Sequence, residues 1–322
     1  MSTPRDDFIH ALERKPPRGR VPHFELVFFL TMEAFGTVHP SQRHYGQWDQ
    51  MEEKERRLHR EDIARVFVRT AERYEHSAIF VHPSVGGVDE ACWLLDEIRE
   101  QSGDRYFTMM HGDPTFAIPN GDQMVDFSYR MADDPQGLRD EAERRLEASI
   151  ERARLLRERT SLDGFALCSD YCFNSGPFLS PAQLEQFVFP YLARGIAAYR
   201  ELGYYTIKHT DGNIMPILDQ LVAAGPHALH SLDPQGGVDL GEVKRRVGNR
   251  VCLIGNVDCS LLDTGTDAEY EADTRRALAQ GMPGGGYIFS TSNCVYTGMP
   301  LARYERIVDI WKQEGVYPHA AG

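Results

Sequence analysis

In the stretch IKHTDGNIMP, residues 207–216, a histidine and an aspartate stand two apart at the end of an apolar run. Side chains two apart on an extended strand share a face, so His209 and Asp211 aim at one place. A His-x-Asp pair serves as a base with an orienting acid, or as two ligands of one metal ion. Lys208 between them faces the other way, toward a helix layer, which argues against a Schiff-base lysine. Glu25, in HFELVFF, is a further candidate, because a carboxylate inside an apolar strand is costly unless paired or used. Cys294 adds a thiol near the end of the last strand. His209, Asp211 and Cys294 together are acceptable zinc ligands that leave a coordination position open, as catalytic zinc requires; a buried structural cysteine is the alternative.

The elements that must position these groups alternate along the chain. Eight runs read as strands: 21–26, 78–82, 105–110, 164–168, 204–209, 228–232, 250–255 and 286–290. Amphipathic stretches at 61–74, 135–159, 180–203, 214–225 and 266–281 read as helices. Ser180, Pro181 and Gln183 mark one helix start with a capping box and a first-turn proline. This alternation predicts a (β/α)8 barrel forming a single α/β domain over 1–322, with its site at the carboxyl ends of the strands. An open doubly wound sheet with an added subdomain is the alternative, but no G-x-G-x-x-G turn follows the first strand. The glycines of GMPGGGYIF precede a strand and read as a tight turn, not a phosphate cradle. Residues 30–60 fit the pattern poorly and read as an inserted helix pair, a lid or a docking surface.

Each expected strand end carries a polar or ionisable group. In order they are Glu25; His82; His111 and Asp113; Ser169, Asp170 and Tyr171; His209 and Asp211; Asp233; Asn256 and Asp258; Asn293 and Cys294. Asp170, Asp233 and Asp258 have an alternative role as turn formers or helix caps. His111 also reads as a loop residue, and His82 as a satisfied core or lid residue. In the functional reading, Glu25, Asp170, Tyr171, His209 and Asp211 are catalytic, and His82, Asp233, Asn256, Asp258 and Asn293 bind substrate. His10, His39, His44, His59, His76, His227 and His319 lack supporting neighbours.

Composition narrows the class. The formal charge of −13 argues against a nucleic-acid partner, which needs a basic stripe. No run approaches the length of a membrane-spanning helix, and the first residues lack the apolar core of a secretory signal, so a cytoplasmic location is expected. The six cysteines are widely spread, which favours reduced thiols over a disulfide framework.

The segments DYCFNSGPFLSPAQLEQFVFPYL, HTDGNIMPILDQL, DLGEVKRRVGNRVCLIGNVD and PGGGYIFSTSN, in that order, resemble the uroporphyrinogen decarboxylase superfamily over residues 164–312. That superfamily includes cobalamin-linked methyltransferases. The resemblance implies a barrel with its site at the C-terminal mouth, and a homodimer. True decarboxylases carry an R-Q-A-G-R segment after the first strand, where this chain has FELVFFLTMEAFG, and a histidine near the eighth strand's end, where Asn293 stands. The methyltransferase branch binds zinc through His-x-Cys and a later cysteine. His209 matches that histidine, Asp211 replaces the first cysteine, and Cys294 lies at or one beyond the second. The resemblance thus implies transfer of a methyl group between a small substrate and a corrinoid protein. Zinc would be held by His209, Asp211 and Cys294, with Glu25 or a substrate atom in the open position. A metal-free decarboxylase using Asp170 or Asp211, and a non-catalytic ligand-binding protein, are the alternatives.

Overall fold

Seven of the expected strands line up in one parallel sheet in the computed structural model of the chain, which describes residues 2–82 and 86–318. They are β1 (Ala78–Val81), β2 (Phe107–His111), β3 (Gly164–Cys168), β4 (Tyr205–Thr210), β5 (Ala228–Ser231), β6 (Cys252–Ile254) and β7 (Tyr287–Ile288), adjacent in chain order. Helices connect successive strands, as parallel pairing requires.

Strand alternation divides the apolar residues into two cores. Phe80, Met109, Ala166, Ile207, Ala228, Ile254 and Ile288 pack in an inner cluster. Their strand neighbours Ile79, Met110, Phe165, Leu229 and Leu253 join the outer cluster with the helices. The inner core is closed at one end by the helix Pro4–Leu12, which buries Phe8, Ala11 and Leu12 against it. Thr3 and Asp6 fix that helix with a reciprocal capping box, and Pro4 starts it.

The segment expected as the first strand, 21–26, is not a regular strand. Pro22 has no N–H to give to a ladder. Its carbonyl instead accepts from Phe289 (2.9 Å), Phe24 N donates to Phe289 O (3.1 Å), and His23 O accepts from Ser77 N (2.7 Å). The segment is thus hydrogen-bonded beside both β7 and β1.

The helical expectations change in detail. The stretch 180–203 is two helices, Pro181–Phe187 and Phe189–Glu201, separated at Val188, two residues before Pro190. Residues 30–60 hold one short helix, Thr31–Phe35, and two single 3₁₀ turns, and not a helix pair; the long helix Glu53–Arg73 begins inside the range. Among the described residues no helix is long and apolar enough to cross a membrane. His319 lies outside them.

Candidate functional site at the ends of the strands

β4 builds the site by presenting alternate residues to the inner side. Ile207 closes the inner core, and above it come His209 and then Asp211. The turn after them needs Gly212, which has φ 78°, and a Cβ there would lie 2.6 Å from Phe173 O. Asp170, just beyond β3, takes the Asp211 amide on its Oδ1 at 3.0 Å. His209 Nε2 lies 3.7 Å from Asp211 Oδ1 and 3.9 Å from Asp170 Oδ1. One donor atom from each of these three residues falls within 4.8 Å of the others.

Asp211 is firmly held. Its Oδ1 accepts from Ser231 Oγ (2.6 Å), and its Oδ2 accepts from the Asn293 amide. Burial raises its carboxyl pKa, the charge of nearby Asp170 and Asp233 adds to this, and His209 and Ser231 act in the opposite direction. Ser231 and Leu232 both have positive φ, 86° and 50°, a left-handed backbone uncommon for residues with side chains.

His230 completes the group, and the strand-end reading passes it over. It is the register partner of His209 on the neighbouring β5, and its Nδ1 lies 2.8 Å from His209 Nδ1. Burial, then proximity to His209, holds its pKa well below the ordinary histidine value. The alternation in ALHSL carries the signal: His230 shares a face with Ala228, one strand from His209.

The structure separates the other predicted residues into distinct settings. Glu25 is buried, and its carboxylate accepts from Thr291 N (3.1 Å), Thr291 Oγ1 (2.5 Å) and Ser290 Oγ (3.2 Å). These partners occupy it away from the Asp170–His209–Asp211 group, so it does not stand in an open ligand position. Cys294 is not part of the converging set either. Its backbone carbonyl faces the Cys259 thiol at 3.5 Å, and burial pushes its own thiol pKa up. Its side chain packs, half-buried, against the inner core cluster that Ile207 closes.

Tyr171 belongs to the outer core, its hydroxyl 2.5 Å from Thr115 Oγ1 and its ring 3.9 Å from Lys208 Nζ. Asp258 caps the helix Cys259–Thr264, accepting from Ser260 N at 2.8 Å. Asp233 caps a turn through Gln235 N (2.9 Å) and steadies Gly212 N (3.1 Å). Asn256 is buried between Leu232 O (2.7 Å) and Arg276 (3.1 Å). His82 and His111 meet at the ends of β1 and β2, with Nδ1 to Nε2 at 3.2 Å. Burial and mutual proximity lower His82 to about 3, and burial with Arg152 nearby lowers His111 to about 4.

Lys208 points away from the site, as alternation requires, and its compensation is complete. Its Nζ donates to Asp113 Oδ2 (2.7 Å), Ser169 O (2.7 Å) and Leu167 O (3.1 Å). Asp113 therefore serves this buried pair. Burial alone would raise its pKa, but Lys208 and Thr115 outweigh that and hold it below the usual carboxylate value.

One imidazole nitrogen and two carboxylates suit a divalent cation, with room for further ligands from solvent or substrate. The donor set fits zinc and, being oxygen-rich, harder ions as well.

A parallel α/β sheet with its polar cluster at the carboxyl ends of the strands defines the architectural class of barrel-like enzymes. A methyltransferase from Methanosarcina mazei shares it with a TM-score of 0.76 at 19% identity, over 97% of this chain and 99% of that one. A GH5_18 from Streptomyces cattleya is similar with a TM-score of 0.52 at 12% identity, over 94% and 83% of the two chains. The Uroporphyrinogen decarboxylase (URO-D) family model matches residues 133–314, more than half of the sequence, and the chain belongs to that family. Curated relatives include the uroporphyrinogen decarboxylases of Thioalkalivibrio sulfidiphilus, 28% identical over 42% of this chain and 38% of that protein, and Neisseria meningitidis serogroup C, 31% identical over 36% and 32%. The matched part spans about a third of those relatives' length.

Proposed function

We propose that this chain is a methyltransferase that moves a methyl group between a small substrate and a corrinoid protein, with a divalent cation at the mouth of an eight-fold barrel. The eight-fold reading counts the segment 21–26 as the closing member beside β1 and β7. The observation that carries the function is the convergence of His209 Nε2 with the Asp170 and Asp211 carboxylates. These three, and not Cys294, would hold the ion, zinc being the first expectation. When bound, the ion supplies Lewis acidity toward an oxygen or nitrogen that carries the methyl group.

The chain's own residues do the positioning. Ser231 and Asn293 lock the Asp211 carboxylate, and the Asp211 amide fixes Asp170. The His82–His111 pair offers hydrogen bonds at the ends of β1 and β2, and Phe173, in a short antiparallel ribbon after β3, and Tyr296, beyond β7, present exposed rings. Such an arrangement suits a small substrate with an apolar body and one heteroatom to be polarised. The Methanosarcina mazei likeness supports the same activity.

Family membership favours a second reading, decarboxylation, in which Asp170 or Asp211 stabilises a protonated intermediate. A substrate with many carboxylates calls for cationic partners, and the converging group here is acidic.

Two assays decide between them. Protein purified without chelators is expected to contain about one divalent ion per chain, lost in His209→Ala and Asp211→Ala. It is also expected to form methylcobalamin from cob(I)alamin and a methoxylated or N-methylated donor, read by visible absorbance. A metal-free protein that stays so after refilling with Zn²⁺ or Co²⁺, and that consumes uroporphyrinogen, overturns the first reading in favour of the second.

A further inference from the structure

Behind the cluster runs a line of hydrogen-bonding groups that connects a buried carboxylate to the candidate ligand His209. The Glu25 carboxylate takes Ser290 Oγ at 3.2 Å; Ser290 Oγ lies 3.5 Å from His230 Nε2; His230 Nδ1 lies 2.8 Å from His209 Nδ1. His209 Nε2 then faces Asp211 and Asp170. All three links between the end groups are buried.

The direction of each bond follows from what its members can do. A carboxylate only accepts, so the Ser290 hydroxyl hydrogen points to Glu25. The Ser290 oxygen then offers a lone pair to His230 Nε2, which must carry a hydrogen. A neutral His230 with hydrogen on Nε2 presents a bare Nδ1. His209 therefore donates from Nδ1, and its Nε2 is the nitrogen left to meet a cation. That bare nitrogen and the two carboxylates beside it are all acceptors, an arrangement favourable only with a cation among them.

We infer that Glu25, Ser290 and His230 are positioning residues that fix the tautomer and ring orientation of His209, so that Nε2 is committed to cation binding before any ion arrives. The inference builds on the cation site proposed above, and it gives Glu25 a task different from ligation. Outer partners of this kind are worth roughly 10–100-fold in metal affinity.

The test is long-range ¹H–¹⁵N correlation on the histidine rings of the metal-free protein, with His209→Gln and His230→Gln used to assign the signals. The expected pattern is His230 protonated on Nε2, and His209 carrying hydrogen on Nδ1. A His230 with its hydrogen on Nδ1, or a neutral His209 with hydrogen on Nε2, overturns the inference. Co²⁺ titration adds a second readout. Ser290→Ala, which removes one hydroxyl and leaves all three candidate ligands, is expected to weaken Co²⁺ binding about tenfold and to let the His230 pattern become mixed. Unchanged affinity together with an unchanged tautomer in Ser290→Ala also overturns it, and His230→Phe repeats the test if that variant folds poorly. Should the wild-type protein bind no ion, the cation site fails, while the ring spectra still decide the tautomer assignment.

Discussion

Lys208 and His209 are neighbours on one strand, and their surroundings are opposites. On the outer side every bond of the Lys208 ammonium ends on a named acceptor: Asp113, Leu167 O and Ser169 O, with the Tyr171 ring beneath. On the inner side, His209 Nε2 faces two carboxylates at 3.7 and 3.9 Å, too long for hydrogen bonds and suited to an ion between them. Both faces gather charge, the outer one fully buried and the inner one partly open to water at Asp170. One cancels it internally, and the other leaves it for something to be added. The lesson is that a buried ionisable residue points to function when its partners leave a deficit, not merely because it is buried.

The largest effect that sharpens this contrast is on stability. Lys208→Met leaves the Asp113 carboxylate alone in the outer core and is expected to cost about 3–5 kcal/mol, measured by urea unfolding. Adding Asp113→Leu should recover much of that loss, and a double variant as unstable as the single one contradicts the account of a self-cancelling pair. His209→Ala is the converse. It should change the unfolding free energy of the metal-free protein far less than Lys208→Met does, while lowering Co²⁺ or Zn²⁺ affinity by more than the roughly 100-fold at the upper end for an outer partner.

Acidity offers a third contrast, with opposite signs on the two sides. Asp113 has a folded-state pKa below its unfolded value, so its stabilisation is present above about pH 4 and is lost as pH falls through the folded value. Asp211 has a raised folded-state pKa, so its contribution is present below the unfolded value and is lost as pH rises through the folded one. In metal-free buffer, the stability gap between wild type and Asp113→Asn should close toward low pH. Asp211→Asn should gain on wild type as pH rises. Parallel behaviour of the two variants would falsify the assignment. The smallest expected effect is Asp258→Ala, about 1 kcal/mol from loss of a helix cap, with cation affinity unchanged by titration calorimetry.

How much of this was legible depends on how far apart in the chain the answer lies. That His209 and Asp211 share a face, and Lys208 does not, follows from alternation within six residues of β4. Asp170 was legible as a strand-end acid, but its place beside His209 depends on the register of β3 against β4, which no local pattern encodes. The partner of Lys208 lies 95 residues away, so charge compensation could not be read in advance. Cys294 was legible as a thiol on the inner side, but its separation from His209 and Asp211 depends on the path of the chain beyond a two-residue strand. The first strand failed at Pro22, a residue whose missing N–H the sequence does display.

The helix Pro4–Leu12 closes the inner core from below, under the level of His209. The cluster stands at the other end of that core, at the carboxyl ends of the strands. If a small donor and a large carrier protein both react there, they share one doorway. The small molecule must enter first and the carrier must undock before the spent molecule departs. Steady-state kinetics should therefore show a compulsory order, with the carrier trapping the bound substrate against exchange.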